Sequence, residues 1–224
     1  MIIIFTFSIF IQIFIYYFYK FFFSKRLFKN YNAIQKIHEG NIPRIGGLMF
    51  FLNFLFLIFY DFNSVGIILP LICGGFIIFL FSLYEDIQQS LSPYFRLIIL
   101  FLGSSLFIFF TELPEIKVLY LSLLNDIFVL KILVFTLSLM LLMNGFNFID
   151  GLNGLSSFNF ISVLLSILYL ANKFEDIFLI NLIYIILIIS ILILIFNFPY
   201  AKIFIGDSGS YLYALFSGAL VIYL

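Results

Sequence analysis

Asn144, Asn147 and Asp150 recur at three-residue spacing within MNGFNFIDGLNGL (residues 143–155), between two long apolar runs, with Gly151 and Gly154 close behind. Three residues advance a helix by about 300°, so these polar groups fan over one broad side. An acid in the middle of a membrane span costs roughly 3 kcal/mol on insertion scales. Polar groups gathered at the end of a lipid-embedded segment therefore point to a site. Acid and amide oxygens are hard ligands that suit Mg²⁺, which uses few protein ligands and shares the rest with substrate phosphates. The bland alternative is a polar helix–helix contact, with small residues there for packing.

Three further stretches could join that chemistry. Pro43-Arg44-Ile45-Gly46-Gly47 opens an apolar run. Proline fixes the entry and paired glycines allow close backbone approach, either as an ordinary turn into a span or as a wall of a phosphate or sugar site. Tyr84-Glu85-Asp86 closes another run, followed by Ser92-Pro93 and Arg96. Of two adjacent carboxylates, one can bind metal while the other takes a proton; the alternative is a pair of solvated acids at a membrane exit. Ala201–Ser210, AKIFIGDSGS, precedes the last run. Gly206 and Gly209 free the backbone to aim N–H groups at an anion, Ser208 and Ser210 add donors, and a following helix N-terminus favours negative charge. Asp207 in such a nest repels phosphate unless a cation lies between, so the stretch asks for phosphate and Mg²⁺ together. Its plain alternative is a capped helix start. His38 is the only histidine and Cys73 the only cysteine, which excludes an internal disulfide, a Cys-based zinc site and a multi-His metal site.

The elements that must position these groups are membrane spans. The chain is 65% hydrophobic and 10% charged, with mean hydropathy +1.25, against about 25% charged residues in a water-soluble domain. Zero net charge says nothing about partners. The abundant Phe and Ile, with no Trp, match AT-rich codons and carry no functional weight. Residues 1–19 lack the basic n-region and A-x-A exit of a cleaved signal peptide and form a permanent first span. A hydrocarbon core of about 30 Å takes roughly 20 helical residues, and backbone groups in lipid must pair internally. The fold class is thus all-α, a polytopic bundle of about eight spans: 2–19, 45–60, 65–83, 94–111, 127–143, 154–171, 177–197 and 210–224. No repeat of 20–50 residues is present.

Orientation follows from Lys and Arg. Lys20, Lys25, Arg26, Lys29, Lys36, Arg44, Arg96 and Lys202 fall on one side of the alternating spans; Lys117, Lys131 and Lys173 fall opposite. The first side is cytoplasmic and the N-terminus outside. Glu39, Glu85, Asp86, Asp150 and Asp207 share the cytoplasmic side, while Asp61, Glu112, Glu115, Asp126, Glu175 and Asp176 lie outside. Four of the five cytoplasmic acids sit at a span mouth beside Gly, Asn or Ser.

PRIGG, YEDIQQSLSPYFRL, NGFNFIDGLNGL and AKIFIGDSGS, in that order, resemble the polyprenyl-phosphate N-acetylhexosamine-1-phosphate transferases. PRIGG alone is weak; the last two stretches together are highly specific. The resemblance implies transfer of a sugar phosphate from a UDP-N-acetylhexosamine to a polyprenyl phosphate in the bacterial inner membrane, giving polyprenyl-diphospho-sugar and UMP. It implies Mg²⁺ as cofactor, with Mn²⁺ as substitute, held by Asp207 and Asn147. It implies that Glu85 and Asp86 deprotonate or position the lipid phosphate and that Asp150 is a further catalytic group. Asn144, Asn153 and Asn197 would line the nucleotide site, and Phe204 would stack on uracil. Arg44, Gly46, Gly47, Gly206, Ser208 and Gly209 would contact substrate. The membrane is the partner, no nucleic acid is, and a homodimer is the candidate assembly. The chain departs from the family in three places: Glu85-Asp86 stands for Asp-Asp, Asn153 stands where Asp is common, and the late cytoplasmic loop with His and Arg is not reached. The end at Leu224 in apolar sequence predicts one transferase domain short of its last spans, or a final span lacking a partner.

Two other classes stand beside this one. A non-catalytic remnant of such a transferase is motivated by the missing loop. A transporter or channel would carry charge near the bilayer midplane or repeated halves; here the polar clusters cap the span ends.

Overall fold

The computed structural model describes residues 2–22, 42–60, 65–118 and 122–224. Lys25, Arg26, Lys29, Lys36, His38, Glu39 and Asp61 lie outside them. The described chain is built of α1 (Ile2–Phe22), α2 (Gly46–Tyr60), α3 (Val65–Gln88), α4 (Pro93–Phe109), α5 (Phe128–Ile149), α6 (Leu155–Lys173), α7 (Ile177–Asn197) and α8 (Gly206–Tyr223). It is the expected polytopic helix bundle. Helices α1, α3, α5, α6 and α7 are long and apolar enough to cross a membrane; α2 and α4 are shorter apolar helices. At 15 residues, α2 reaches about 22 Å, so it spans less of a bilayer than its neighbours.

Three helices run further than their apolar stretches. α3 continues through Glu85 and Asp86, α5 carries Asn144 and Asn147 in its last turns, and α8 begins at Gly206 rather than 210. Each extension carries a polar residue that is enclosed by protein. Local signals mark several ends. Ser92 caps α4 by accepting from the Phe95 N–H, with Pro93 at the first helical position. Asp176 caps α7 through the Leu179 N–H.

The last helix is the axis of the bundle. α8 packs against α2, α3, α5 and α6, and Ser208 through Leu220 are all buried. The expectation that the final span lacks a partner is therefore not met: its polar first turn and small residues suit protein surroundings on every side. Its core contacts are aromatic. The Tyr213 ring stacks on Phe160 at 4.3 Å and meets Phe50 edge-on at 5.2 Å, while Phe216 meets Phe50 and Phe54 edge-on at 5.0 and 4.5 Å. Such pairs add about 0.5–1.5 kcal/mol each beyond burial. α3 and α4 approach closely where Gly74 meets the Gly103 carbonyl; an added Cβ would lie 2.5 Å from that oxygen.

Candidate active site

The polar motifs are carried to one end of the bundle, where the ends of α3 and α5 meet the starts of α2 and α8. The first joint is made by backbone. Arg44 and Phe204 form a parallel β-bridge; the Phe204 N–H donates to the Pro43 carbonyl at 2.8 Å, and the Gly46 and Gly47 N–H groups donate to the Phe204 and Ile205 carbonyls at 3.0 and 3.1 Å. The PRIGG entry to α2 is thus stitched to the AKIFIG loop before α8. A Cβ on Gly47 would collide with Ser208 and the Gly209 backbone, so Gly46, Gly47 and Gly209 let two helix starts cross at backbone contact.

The second joint is electrostatic. Asp86, in the last turn of α3, is fully buried. Its carboxylate accepts from the Asp207 N–H at 2.8 Å, the Ser208 N–H at 2.9 Å and the Ser208 hydroxyl. The anion held by the glycine-flanked nest is therefore Asp86 itself, which caps α8 from across the bundle. Gly206 makes room for it: φ is +77°, and a Cβ would stand 2.7 Å from both Asp86 carboxylate oxygens. Glu85, also buried, is turned the other way. Its carboxylate accepts the Ser90 and Leu91 N–H groups at 3.0 and 2.7 Å and so shapes the α3–α4 turn.

Asp207 faces out from the α8 start and pairs with Arg96 of α4 at 3.2 Å. Arg96 also faces the Tyr211 hydroxyl. With Glu85, Ser82 and apolar residues of α3 and α4, Arg96 and Tyr211 line a small open crevice. Asp150 ends α5 on the turn before α6 and meets the Gly206 N–H. Burial, reinforced by the charges of Asp86 and Asp207, pushes its carboxyl well above the usual carboxylate range; Arg44 and the Gly206 N–H pull the other way.

The amides divide between the site and its frame. Asn197 is buried with both ends engaged: its oxygen accepts the Gly154 N–H and its nitrogen donates to the Ile203 carbonyl at 2.9 Å. It thereby ties the α5–α6 turn to the loop before α8. Asn153 reaches the Pro199 carbonyl at 3.4 Å, and Asn144 bonds back to Met140 at 3.1 Å. Asn147 differs, since its buried amide nitrogen has no protein partner.

The structure thus brings Asp86, Asp150, Asp207, Arg44, Gly46, Gly47, Gly206, Ser208 and Gly209 together in one cluster. Asn197 and Asn153 hold the neighbouring turn. Glu85 and Asn144 are engaged in local bonds. Arg96 was not singled out from sequence as a site residue; a lone cation just inside an apolar run is the signal that marks it.

The cluster sets Asp86, Asp150 and Asp207 beside Arg44 and Arg96. Among the described residues no three Asp, Glu, His or Cys side chains converge as a self-sufficient metal cage. Mg²⁺ needs few protein ligands when substrate phosphates complete its shell, and the Asn147 amide would present an oxygen only with its two ends exchanged. A search of curated proteins found no match. Residues 68–224, more than half the sequence, match the model for glycosyl transferase family 4, and with its acids and arginines gathered at the ends of apolar helices the chain belongs to that family of membrane transferases.

Proposed function

We propose that this transferase moves N-acetylhexosamine-1-phosphate from a UDP-sugar to a polyprenyl phosphate at the cytoplasmic face of a bacterial inner membrane. The observation that carries this is the meeting of Asp86, Asp150 and Asp207 with Arg44 and Arg96 around the start of α8. A site that joins two phosphates must hold several negative charges close together, and mixed acids with guanidiniums do so with a divalent ion. Asp207 and Asn147 would hold Mg²⁺. When bound, that ion supplies charge neutralisation on the pyrophosphate.

The chain's own residues align the substrates. Arg44, bridged to Phe204 in the loop before α8, and Arg96, paired with Asp207 in its first turn, would attract the two phosphate groups. Both reactants would then be held at one surface. A lipid phosphate oxygen attacks the β-phosphorus, a new P–O bond forms, and the bond to UMP breaks. Polyprenyl-diphospho-sugar and UMP leave. Direct attack is favoured because the Ser208 hydroxyl, which does meet a carboxylate, is fully buried and bound to Asp86 as part of the helix cap. Asp86, enclosed by its three donors, keeps the α8 start in place, while Asp150 faces the cluster with the capacity to hold a proton.

The test is transfer of radiolabel from a panel of UDP-sugars to polyprenyl phosphate by the purified 224-residue protein. The wild type is expected to form labelled lipid with at least one UDP-N-acetylhexosamine, and Asp207→Ala to form none. Full activity in Asp207→Ala would remove that residue from the reaction. Absence of label with every donor would favour the non-catalytic remnant.

A further inference from the structure

In the reaction proposed above Arg96 attracts a phosphate, yet helix packing does little to hold Arg96 in place. Its helix, α4, lies chiefly against α3 and α5, while its ionic partner Asp207 stands in the first turn of α8. The arginine therefore reaches across from the start of one helix to the start of another. An arginine side chain is rich in rotamers, and an ion pair that is a third exposed on the Arg side is too weak to keep it in one of them.

A second contact stands one turn along α8. Tyr211 follows Asp207 by four residues, so the two side chains lie on the same face of the helix. Arg96 Nη1 donates to the Asp207 carboxylate at 3.2 Å, and the Tyr211 hydroxyl meets the same guanidinium. Arg96 and Tyr211 also line one crevice, with Ser82 of α3 and Ile99 and Leu100 of α4. Helical register, the ion pair and the shared crevice all place the tyrosine oxygen beside the arginine.

The surroundings of Tyr211 fit that role. The residue is 4% exposed, in a helix buried from Ser208 to Leu220, so packing confines its ring. A phenol oxygen can accept, and a guanidinium can only donate. The other charged groups facing Tyr211 are Asp207 and Asp86. Asp86 is taken up by its donors at the α8 start, and Asp207 is already bound to Arg96. A guanidinium carries five N–H donors, so these two contacts leave donors over for a ligand.

We propose that Tyr211 is a positioning residue for Arg96: its hydroxyl accepts from the guanidinium one turn beyond Asp207, so that α8 grips the arginine at two points and its remaining N–H groups are presented to a phosphate. Tyr211 does not touch substrate. One anchor leaves a guanidinium free to rotate; two fix its plane, and a fixed plane is what paired bonds to phosphate oxygens need. The catalytic consequence rests on the transfer reaction proposed above, and the anchoring does not.

Tyr211→Phe keeps the ring and removes only the hydroxyl. The first measurement needs no turnover. The arginines of the chain are Arg26, Arg44 and Arg96, so protein labelled with ¹⁵N-arginine in detergent micelles gives very few side-chain Nε–H signals, and Arg96→Lys assigns that of Arg96 by its loss. The Arg96 signal is expected to be ordered in the wild type and to become mobile in Tyr211→Phe, its order parameter falling below about 0.6. An Arg96 signal already mobile in the wild type overturns the anchoring, and so does one with the same shift and order in Tyr211→Phe. The second measurement is steady-state transfer in a double-variant cycle. Tyr211→Phe is expected to lower kcat/KM about threefold to tenfold, the worth of one hydrogen bond, and to cost nothing further in the Arg96→Ala background. A hydroxyl that merely supported the fold would cost the same factor in both. Equal loss in both backgrounds, or no loss at all with the wild type active, overturns the positioning role. A wild type inactive with every donor refutes the transfer reaction, and the arginine signals still decide the anchoring.

Discussion

Gly206 tests how the site is held. Replacing it by Ala forces a side chain into a left-handed conformation, which costs about 1–2 kcal/mol. The new Cβ would stand 2.7 Å from both Asp86 carboxylate oxygens, where ordinary contact begins at 3.4 Å. The carboxylate must retreat, and its bonds to the Asp207 and Ser208 N–H groups, now 2.8 and 2.9 Å, would stretch beyond useful length. Each is a charge-assisted bond worth about 1.5–3 kcal/mol, so losing one or two brings the total to about 2.5–8 kcal/mol. For a chain of this size that corresponds to a fall of about 5–30 °C in Tm. The assay is circular dichroism at 222 nm during heating in detergent micelles. Gly145→Ala is the matched control: it lies within α5 with nothing within 4 Å of an added Cβ, and is expected to raise stability by up to about 1 kcal/mol. A Gly206→Ala protein that melts within a degree or two of wild type would refute the capping of α8 by Asp86.

Asn197→Ala removes two buried bonds and strands the Gly154 N–H and the Ile203 carbonyl, so a loss of about 2–6 kcal/mol is expected in the same melts. Arg96→Ala is expected to change stability by under about 1 kcal/mol, since the ion pair with Asp207 is a third exposed on the Arg side, yet to cut label transfer more than tenfold, with Arg96→Lys intermediate. Asp150 gives a pH dependence. Its carboxyl holds its proton more tightly in the folded chain than in the unfolded one, so its contribution to stability is full below the ordinary carboxylate range and is lost as pH rises toward the raised folded value. Asp150→Asn, melted with a chelator present, is therefore expected to gain Tm over wild type at pH 8 and to gain less at pH 5; an equal difference at both values would contradict the stated burial and repulsion.

The helices were legible because lipid imposes a simple rule: about twenty apolar residues and no unpaired backbone. What the rule misplaces is where a helix stops. Reading α3 as 65–83, α5 as 127–143 and α8 from 210 halts each near its first polar residue, as though every such residue must face water or headgroups. Asp86, Asn147 and Ser208 instead face protein, so the helices continue to Gln88, Ile149 and back to Gly206. The gathering of acids on one side was legible too, from the alternation of spans and the spacing of the motifs. Their division of labour was not. Asp86 finds its donors 121 and 122 residues away, and no local pattern distinguishes an acid that caps a distant helix from one that meets solvent.

That division follows from one geometric fact. α8 enters the bundle N-terminus first, with Gly206–Asp207–Ser208 at the mouth, and its unpaired N–H groups must be satisfied inside a protein that excludes water from its core. Asp86 satisfies them from α3, which leaves Asp207 projecting from the same turn toward Arg96 and leaves Asp150 pressed against both charges. Three acids of one type thereby come to differ by what encloses each: one is locked into the frame, one is paired with Arg96, and one is crowded by two like charges that raise its hold on a proton. A chain that placed all three in water would have three equivalent carboxylates.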